Sequence, residues 1–256
     1  MPGPIMVTTS WDDGHPKDLR IAEELQDRAL SGSFFVPLRG PGGKPTLTPG
    51  DLRCLRHQGF EIGAHTVSHR SLAGLKGKLL RFEVSYCRQR LEQILGADVA
   101  MFCYPNGRYD RNVVRHVREA GFRGARTTRM LSLEHKFSPF EMPTSLQAFP
   151  HPLINYLKNL GKNGDTPGLF RYLLEYRGCR SWVHLGKRLF DQVLQRGGIW
   201  HLYGHSWEID ELGLWSDLRE MLDYVSRREG VTYASNGEVL GMLRADRQLH
   251  ASPDPV

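Results

Sequence analysis

The stretch Ile5-Met6-Val7-Thr8-Thr9-Ser10-Trp11-Asp12-Asp13-Gly14-His15 decides how this chain reads. Ile5 to Trp11 has the apolar and β-branched content of a strand, and that strand stops on two carboxylates and a glycine. A second stretch repeats the design: Phe60 to Ala64 reads as a strand, and His65-Thr66-Val67-Ser68-His69 follows it. Two adjacent carboxylates and two imidazoles are the parts of a His/Asp metal site with one carboxylate left over as a base. If the two strand ends meet, the chain is a metal-dependent hydrolase. Each piece alone is weak. Asp-Asp-Gly also makes an ordinary turn, and the i, i+4 spacing of His65 and His69 suits one face of a helical turn in many proteins.

Outward from these stretches, short strands alternate with helical patterns. Pro16 opens a helix carrying Leu19, Ala22, Leu25 and Ala29 at helical spacing. Ser33 to Leu38 is a strand, and a Gly/Pro loop (Arg39 to Pro45) leads to a helix with Thr48 as N-cap and Gly59 as its stop. Lys78 to Leu95 is a long amphipathic helix. Val99 to Cys103 and Phe122 to Arg126 are strands around a helix capped by Asp110, and Glu141 to Leu146 is a weaker strand. A mainly helical insertion spans about 149–196. Ile199 to Tyr203 and Val231 to Ser235 flank a helix over Glu211 to Arg228, and a closing helix runs to about Leu243. Such alternation predicts α/β architecture, a single domain over 1–256 whose parallel strands close or nearly close into a barrel. Barrel chemistry gathers at the C-terminal strand ends. Asp12, Asp13, His65, Cys103, Tyr104, Arg126 and His205 all fall there, so one mouth would collect them.

Bulk properties set the boundaries. Hydrophobic residues make up 40% and charged residues 24%, ordinary for a globular domain. No apolar run has the length of a membrane span, and Met1 to Thr9 reads as no secretory leader, so a cytoplasmic location is expected. The +6 charge is spread along the chain without a basic run, which argues against nucleic acid. An anionic substrate or peripheral contact with lipid headgroups remains compatible with it. Cys54, Cys87, Cys103 and Cys179 form no CxxC pair and read as reduced thiols.

Four ordered motifs resemble those of the polysaccharide deacetylases, the NodB-homology group or carbohydrate esterase family 4. They are Trp11-Asp12-Asp13-Gly14, His65-Thr66-Val67-Ser68-His69, Phe102-Cys103-Tyr104-Pro105-Asn106-Gly107 and His201-Leu202-Tyr203-Gly204-His205. The resemblance spans roughly residues 5 to 240. It implies a distorted (β/α) barrel of about seven to eight strands. It implies Asp12 as general base, Asp13, His65 and His69 as metal ligands, and His205 as general acid. It also implies a backbone N–H near Asn106 at the oxyanion, with Tyr104, Pro105, Asn106, Tyr203 and Trp207 against the substrate and Leu202 beside Tyr203 at the acetyl methyl. The cofactor would be a divalent metal, zinc in first place with cobalt, nickel or manganese admitted. The expected reaction removes an N-acetyl group from an amino sugar in a glycan or sugar precursor. Hydrolysis of another C–N bond, in a cyclic imide or ureide, is the alternative, and a non-catalytic carbohydrate-binding protein is a third reading.

Two departures from the family pattern matter. Cys103 stands where the family usually has the arginine that orients the base. The next strand ends in Gly124-Ala125-Arg126-Thr127-Thr128 rather than in an aspartate–tryptophan motif. Arg126 is therefore expected to reach Asp12 from the neighbouring strand; the other readings are a surface residue or a contact to an anionic substrate group. Cys103 reads as a small apolar pocket residue. His15 is a weak substrate contact, and His151, His184 and His201 read as structural.

Overall fold

The computed structural model describes residues 3–152, 154–156 and 181–250, with the backbone alone for 247–250. In chain order, β1 (Ile5–Asp12), α1 (Asp18–Gln26), β2 (Ser33–Val36), α2 (Pro49–His57) and β3 (Glu61–Ala64) come first. One helical rod follows, made of α3 (Gly77–Arg81), a π-turn (Phe82–Tyr86) and α4 (Cys87–Leu95). Then come β4 (Met101–Cys103), α5 (Arg111–Glu119), β5 (Gly124–Arg126) and β6 (Leu146–Gln147). The last described elements are α6 (Trp182–Arg196), β7 (Gly198–Gly204), α7 (Ser206–Glu211), α8 (Trp215–Val225), β8 (Val231–Tyr233) and α9 (Asn236–His250).

All strand pairs are parallel, in the order β5-β4-β3-β2-β1-β7-β6, with β8 beside the first half of β1. The sheet curls into a distorted barrel. Its two edges are joined by one stretch of chain: Met142 bridges to Arg126 on β5, and Leu146 and Gln147 pair with Leu202 and Tyr203 on β7.

Strand parity sorts the side chains. The outward row packs under the helices in the larger core and includes Val7, Trp11, Phe34, Val36, Ile62, Phe102, Tyr104, Trp200 and Leu202. The inward apolar row is Met6, Phe35, Met101, Cys103 and Ile199, closed from the N-terminal end of the barrel by Val239, Leu240 and Leu243 of α9. Nearer the mouth the inward row turns polar. Ser10 Oγ lies 2.9 Å from His201 Nε2, and His201 Nδ1 lies 3.0 Å from the Pro143 carbonyl. Burial, aided by the Arg126 charge, pushes His201 down to about 3, so it stays neutral.

Several sequence expectations shift here. The helix expected over 211–228 is shorter, Trp215–Val225, and is preceded by a separate helix ending at Glu211; Gly213 between them has φ +66°. The closing helix runs on to His250. Of the expected insertion, Trp182–Arg196 is the helix leading into β7, with Leu185, Leu189, Phe190 and Val193 buried in the ring, so it belongs to the barrel. Residues 157–180, including Asn163, Asp165 and Cys179, lie outside the described residues. Among the described residues, no helix is long and apolar enough to cross a membrane.

Candidate metal and hydrolytic site

Asp12 and Asp13 are neighbours, and on a continuing strand they would face opposite ways. The chain leaves β1 at Asp13 with φ +78°, so both carboxylates turn into the barrel mouth. Gly14 continues the turn at φ +56°, where a β-carbon would lie 2.8 Å from Val36 Cγ1. Its carbonyl accepts from Leu47 N at 2.7 Å, tying the β2–α2 loop to the site.

His65 and His69 do not sit on a helical turn. They flank a loop in which Thr66 (φ +69°) and His69 (φ +55°) are left-handed. The loop folds around Glu83 of the π-turn. The buried Glu83 carboxylate accepts from Val67 N (3.0 Å), Ser68 N (3.0 Å) and Ser68 Oγ (2.7 Å). This brings the two imidazole centroids to 4.8 Å. Nothing near the motif signals this role for Glu83, because its partners are mostly backbone N–H groups 15 and 16 residues away.

Asp13, His65 and His69 offer ligand atoms that all lie within 4.8 Å of one another. His65 Nδ1 lies 2.8 Å from the Cys103 carbonyl and donates to it, and burial holds the ring at about 4, so its Nε2 presents a lone pair. That lone pair faces Asp13 Oδ1 at 3.8 Å, and His69 Nε2 lies 3.0 Å from the same oxygen. Asp13 Oδ1 is buried and accepts no hydrogen bond. A carboxylate oxygen and two imidazole nitrogens crowded around one point fit a cation. Burial opposes the Asp13 charge, but His69, His205 and His65 outweigh it and hold the carboxyl well below its usual range. The other oxygen, Oδ2, accepts from Trp207 Nε1 at 2.9 Å. Asp12, His65 and Cys103 form a second close group. It is the poorer ligand set, since Asp12 is already paired and burial keeps the Cys103 thiol protonated.

Asp12 Oδ1 accepts from Arg126 Nη2. Arg126 is fully buried (0% exposed), which rules out the surface-residue reading. Its guanidinium carbon lies 4.7 Å from the Tyr203 ring and 5.4 Å from the Phe35 ring. Burial opposes the Asp12 charge too, and the guanidinium overrides it. Cys103 places its sulfur 3.7 Å from Asp12 Oδ2.

His205 stands across from the two aspartates, its Nε2 4.0 Å from both Asp12 Oδ2 and Asp13 Oδ2. Its Nδ1 lies 2.7 Å from Glu208 Oε2. Burial pulls His205 down, but the Glu208 hydrogen bond and the nearby carboxylates raise it to about 9. Gln147 Nε2 in turn donates to Glu208 at 3.1 Å, while Gln147 Oε1 accepts from Tyr203 Oη at 2.8 Å and faces His151 Nε2 at 2.8 Å. Glu208 also lines the cleft, and its i+3 spacing from His205, where the chain enters α7, is the sequence signal for this contact.

These groups form the floor of a cleft of about 730 Å³, with Asn106, Thr128, His151, Tyr203 and Trp207 on its walls. Three expected substrate contacts lie away from the cleft. Tyr104 points outward, donating from Oη to the Phe140 carbonyl (3.0 Å) and stacking on Tyr109. Pro105 is buried and does not line the cleft, and Leu202 packs in the outer core. His15 is not among the lining residues.

A sequence profile of the family described as polysaccharide deacetylase matches residues 2–125. That segment, just under half of the chain, is similar to the polysaccharide deacetylases. The match holds the Asp12/Asp13 and His65/His69 motifs and stops before Arg126, His205 and Glu208, whose roles rest on geometry alone. An uncharacterised protein of Streptomyces coelicolor is 30% identical over 118 residues, 45% of this chain and 45% of that protein, so the alignment spans less than half of either. A crystal structure of a Mycobacterium smegmatis protein assigned by name to the polysaccharide deacetylases superposes with TM-score 0.70 at 18% identity, covering 100% of this chain and 94% of that one. A Bacillus anthracis protein described as a family 4 pseudoenzyme superposes with TM-score 0.56 at 14% identity, covering 94% of this chain and 66% of that one. At these identities the polysaccharide deacetylase likeness of the solved structures shows the fold. Activity has to be argued from this chain's own residues.

Proposed function

We propose that the chain is a metal-dependent hydrolase that removes an N-acetyl group from an amino sugar of a glycan or sugar precursor. The observation that carries this reading is the convergence of His65 and His69 on the buried Oδ1 of Asp13, with Asp12 and His205 nearby. Asp13, His65 and His69 would hold the divalent ion, with zinc the first choice for a His/Asp set. Bound there, it supplies polarisation of the amide carbonyl and a lowered pKa for a water.

The chain's own groups divide the remaining work. Arg126 keeps Asp12 ionised, so Oδ2 is free to take the proton of the attacking water. The water oxygen adds to the carbonyl carbon, the C–N bond breaks, and acetate and amine leave. His205, protonated at neutral pH by its Glu208 contact, gives the Nε2 proton to the departing amine. Trp207 fixes Asp13 from behind, and Asn106 and Tyr203 border the space for the acyl group.

A panel of N-acetylated amino-sugar oligomers and cyclic imides or ureides tests the reaction class. Acetate release from the sugars supports the proposal; ring-opened product or ammonia from the cyclic substrates, without acetate, replaces it. Glu208→Gln tests the acid. Without the carboxylate, His205 loses its main support against burial, its pKa falls, and the protonated form disappears at lower pH. Turnover should drop by roughly ten- to a hundredfold, with the alkaline limb of the pH–rate profile displaced to lower pH. An unmoved limb would remove His205 from the acid role.

A further inference from the structure

Beside the catalytic cleft lies a second opening of about 500 Å³. The β2–α2 loop separates the two: Pro41, Gly42 and Lys44 line the cleft, while Arg39, Thr46 and Leu47 line the second groove. The groove is apolar inside, with Val36, Leu38, Leu52, Val67 and Ile94 in its walls. Phe82 and Tyr86 form its lip, stacked at 5.1 Å and each 46% exposed. Leu79, 42% exposed, extends this stripe along the same helical rod. Three large apolar side chains in one contiguous exposed stripe are costly on a surface that meets only water.

The charges around the stripe are one-sided. From Arg70 to Arg90 the sequence has six cations (Arg70, Lys76, Lys78, Arg81, Arg88, Arg90) and a single carboxylate, Glu83. Glu83 is turned inward onto the His65–His69 loop and pairs with Arg70 at 3.3 Å, so it offsets that one cation and none of the others. Arg88 is tied to Asp98 and Glu92, but Arg39, Lys78, Arg81 and Arg90 are exposed and form no ion pair among the described residues. Aromatic and leucine side chains flanked by unpaired Lys and Arg match the boundary between anionic headgroups and acyl chains.

We infer that this face docks on an anionic lipid surface, with Leu79, Phe82 and Tyr86 entering the headgroup layer and Arg39, Lys78, Arg81 and Arg90 against lipid phosphates. The surface would hold the cleft mouth next to the bilayer, separated from it by the width of the β2–α2 loop. Glu83 joins the docking rod to the His65–His69 loop, so the same element carries both.

Vesicle sedimentation of the full chain tests this without any assay of hydrolysis, so it fails or succeeds apart from the proposed reaction. The chain should bind vesicles containing phosphatidylglycerol, bind phosphatidylcholine vesicles weakly or not at all, and release as salt rises. Two variants, Leu79→Ser/Phe82→Ser/Tyr86→Ser and Lys78→Glu/Arg81→Glu/Arg90→Glu, should each lower binding by about tenfold or more while keeping the wild-type thermal transition. Phe82→Trp should show a blue-shifted emission increment over wild type only with the anionic vesicles. No binding to anionic vesicles would overturn the inference. So would undiminished binding by the serine variant, or a Phe82→Trp signal unchanged by lipid, since both describe a polyanion site without insertion.

Discussion

Arg126→Met should be the most damaging change in the barrel outside the metal ligands. Arg126 and Asp12 are a fully buried pair, and removing one partner leaves the other charge uncompensated in the interior. Breaking such a pair costs roughly 3–5 kcal/mol of stability. In the wild type the depressed Asp12 pKa contributes stability that is complete above the ordinary aspartate range and is lost as pH falls through the folded value. In the variant, burial and the Asp13 charge are opposed only by the smaller effects of His65 and His205, so the Asp12 pKa rises and acid relieves part of the penalty. Turnover should fall by roughly 10²–10⁴, with its acid limb displaced to higher pH, because the proposed base then ionises later. Chemical denaturation and a pH–rate profile read both effects. Adding Asp12→Asn should recover part of the lost stability, since two neutral groups replace one orphaned charge. A variant with wild-type stability and an unmoved acid limb would dissolve the proposed link between Arg126 and the base.

Asp13→Ala should abolish metal retention. The substitution removes the carboxylate oxygen on which His65 and His69 converge and leaves two imidazoles as the remaining ligands. Loss of the ion withdraws several kcal/mol of transition-state stabilisation, roughly a thousandfold or more in rate. The fold should survive, because no core packing depends on Asp13; its one hydrogen-bonded oxygen meets Trp207 at the cleft wall. Elemental analysis beside circular dichroism separates ligand loss from unfolding. A folded Asp13→Ala protein that keeps a full complement of ion would move the site elsewhere.

Much of this was legible in the residues. Strand–helix alternation pointed to a parallel barrel, and the strand-end rule placed Asp12, Asp13, His65, Arg126 and His205 at a common mouth. What escaped has physical causes. Motif membership says nothing about strand parity, so Tyr104 and Leu202, adjacent to inward Cys103 and Tyr203, were assigned to the cleft and face the helices instead. An i, i+4 histidine pair suggests a helix, whereas here left-handed Thr66 and His69 bring the rings together in a loop. That loop is held by Glu83 through backbone N–H groups, which leave no side-chain signature. Glu208 was visible only as a neighbour of His205, and its partner Gln147 arrives from β6, the shortest and least evident strand.

The central claim is that Asp13, His65 and His69 bind a divalent ion on which N-deacetylation of an acetylated amino sugar depends. The direct measurement titrates the metal-stripped chain with Zn²⁺ while following ion content and acetate release from an N-acetylglucosamine oligomer. The predicted result is no release without metal, and release that rises with binding and saturates at a single ion per chain; Asp13→Ala shows neither binding nor release. Full acetate release from the stripped protein, or saturable release by Asp13→Ala at wild-type zinc affinity, would contradict the account.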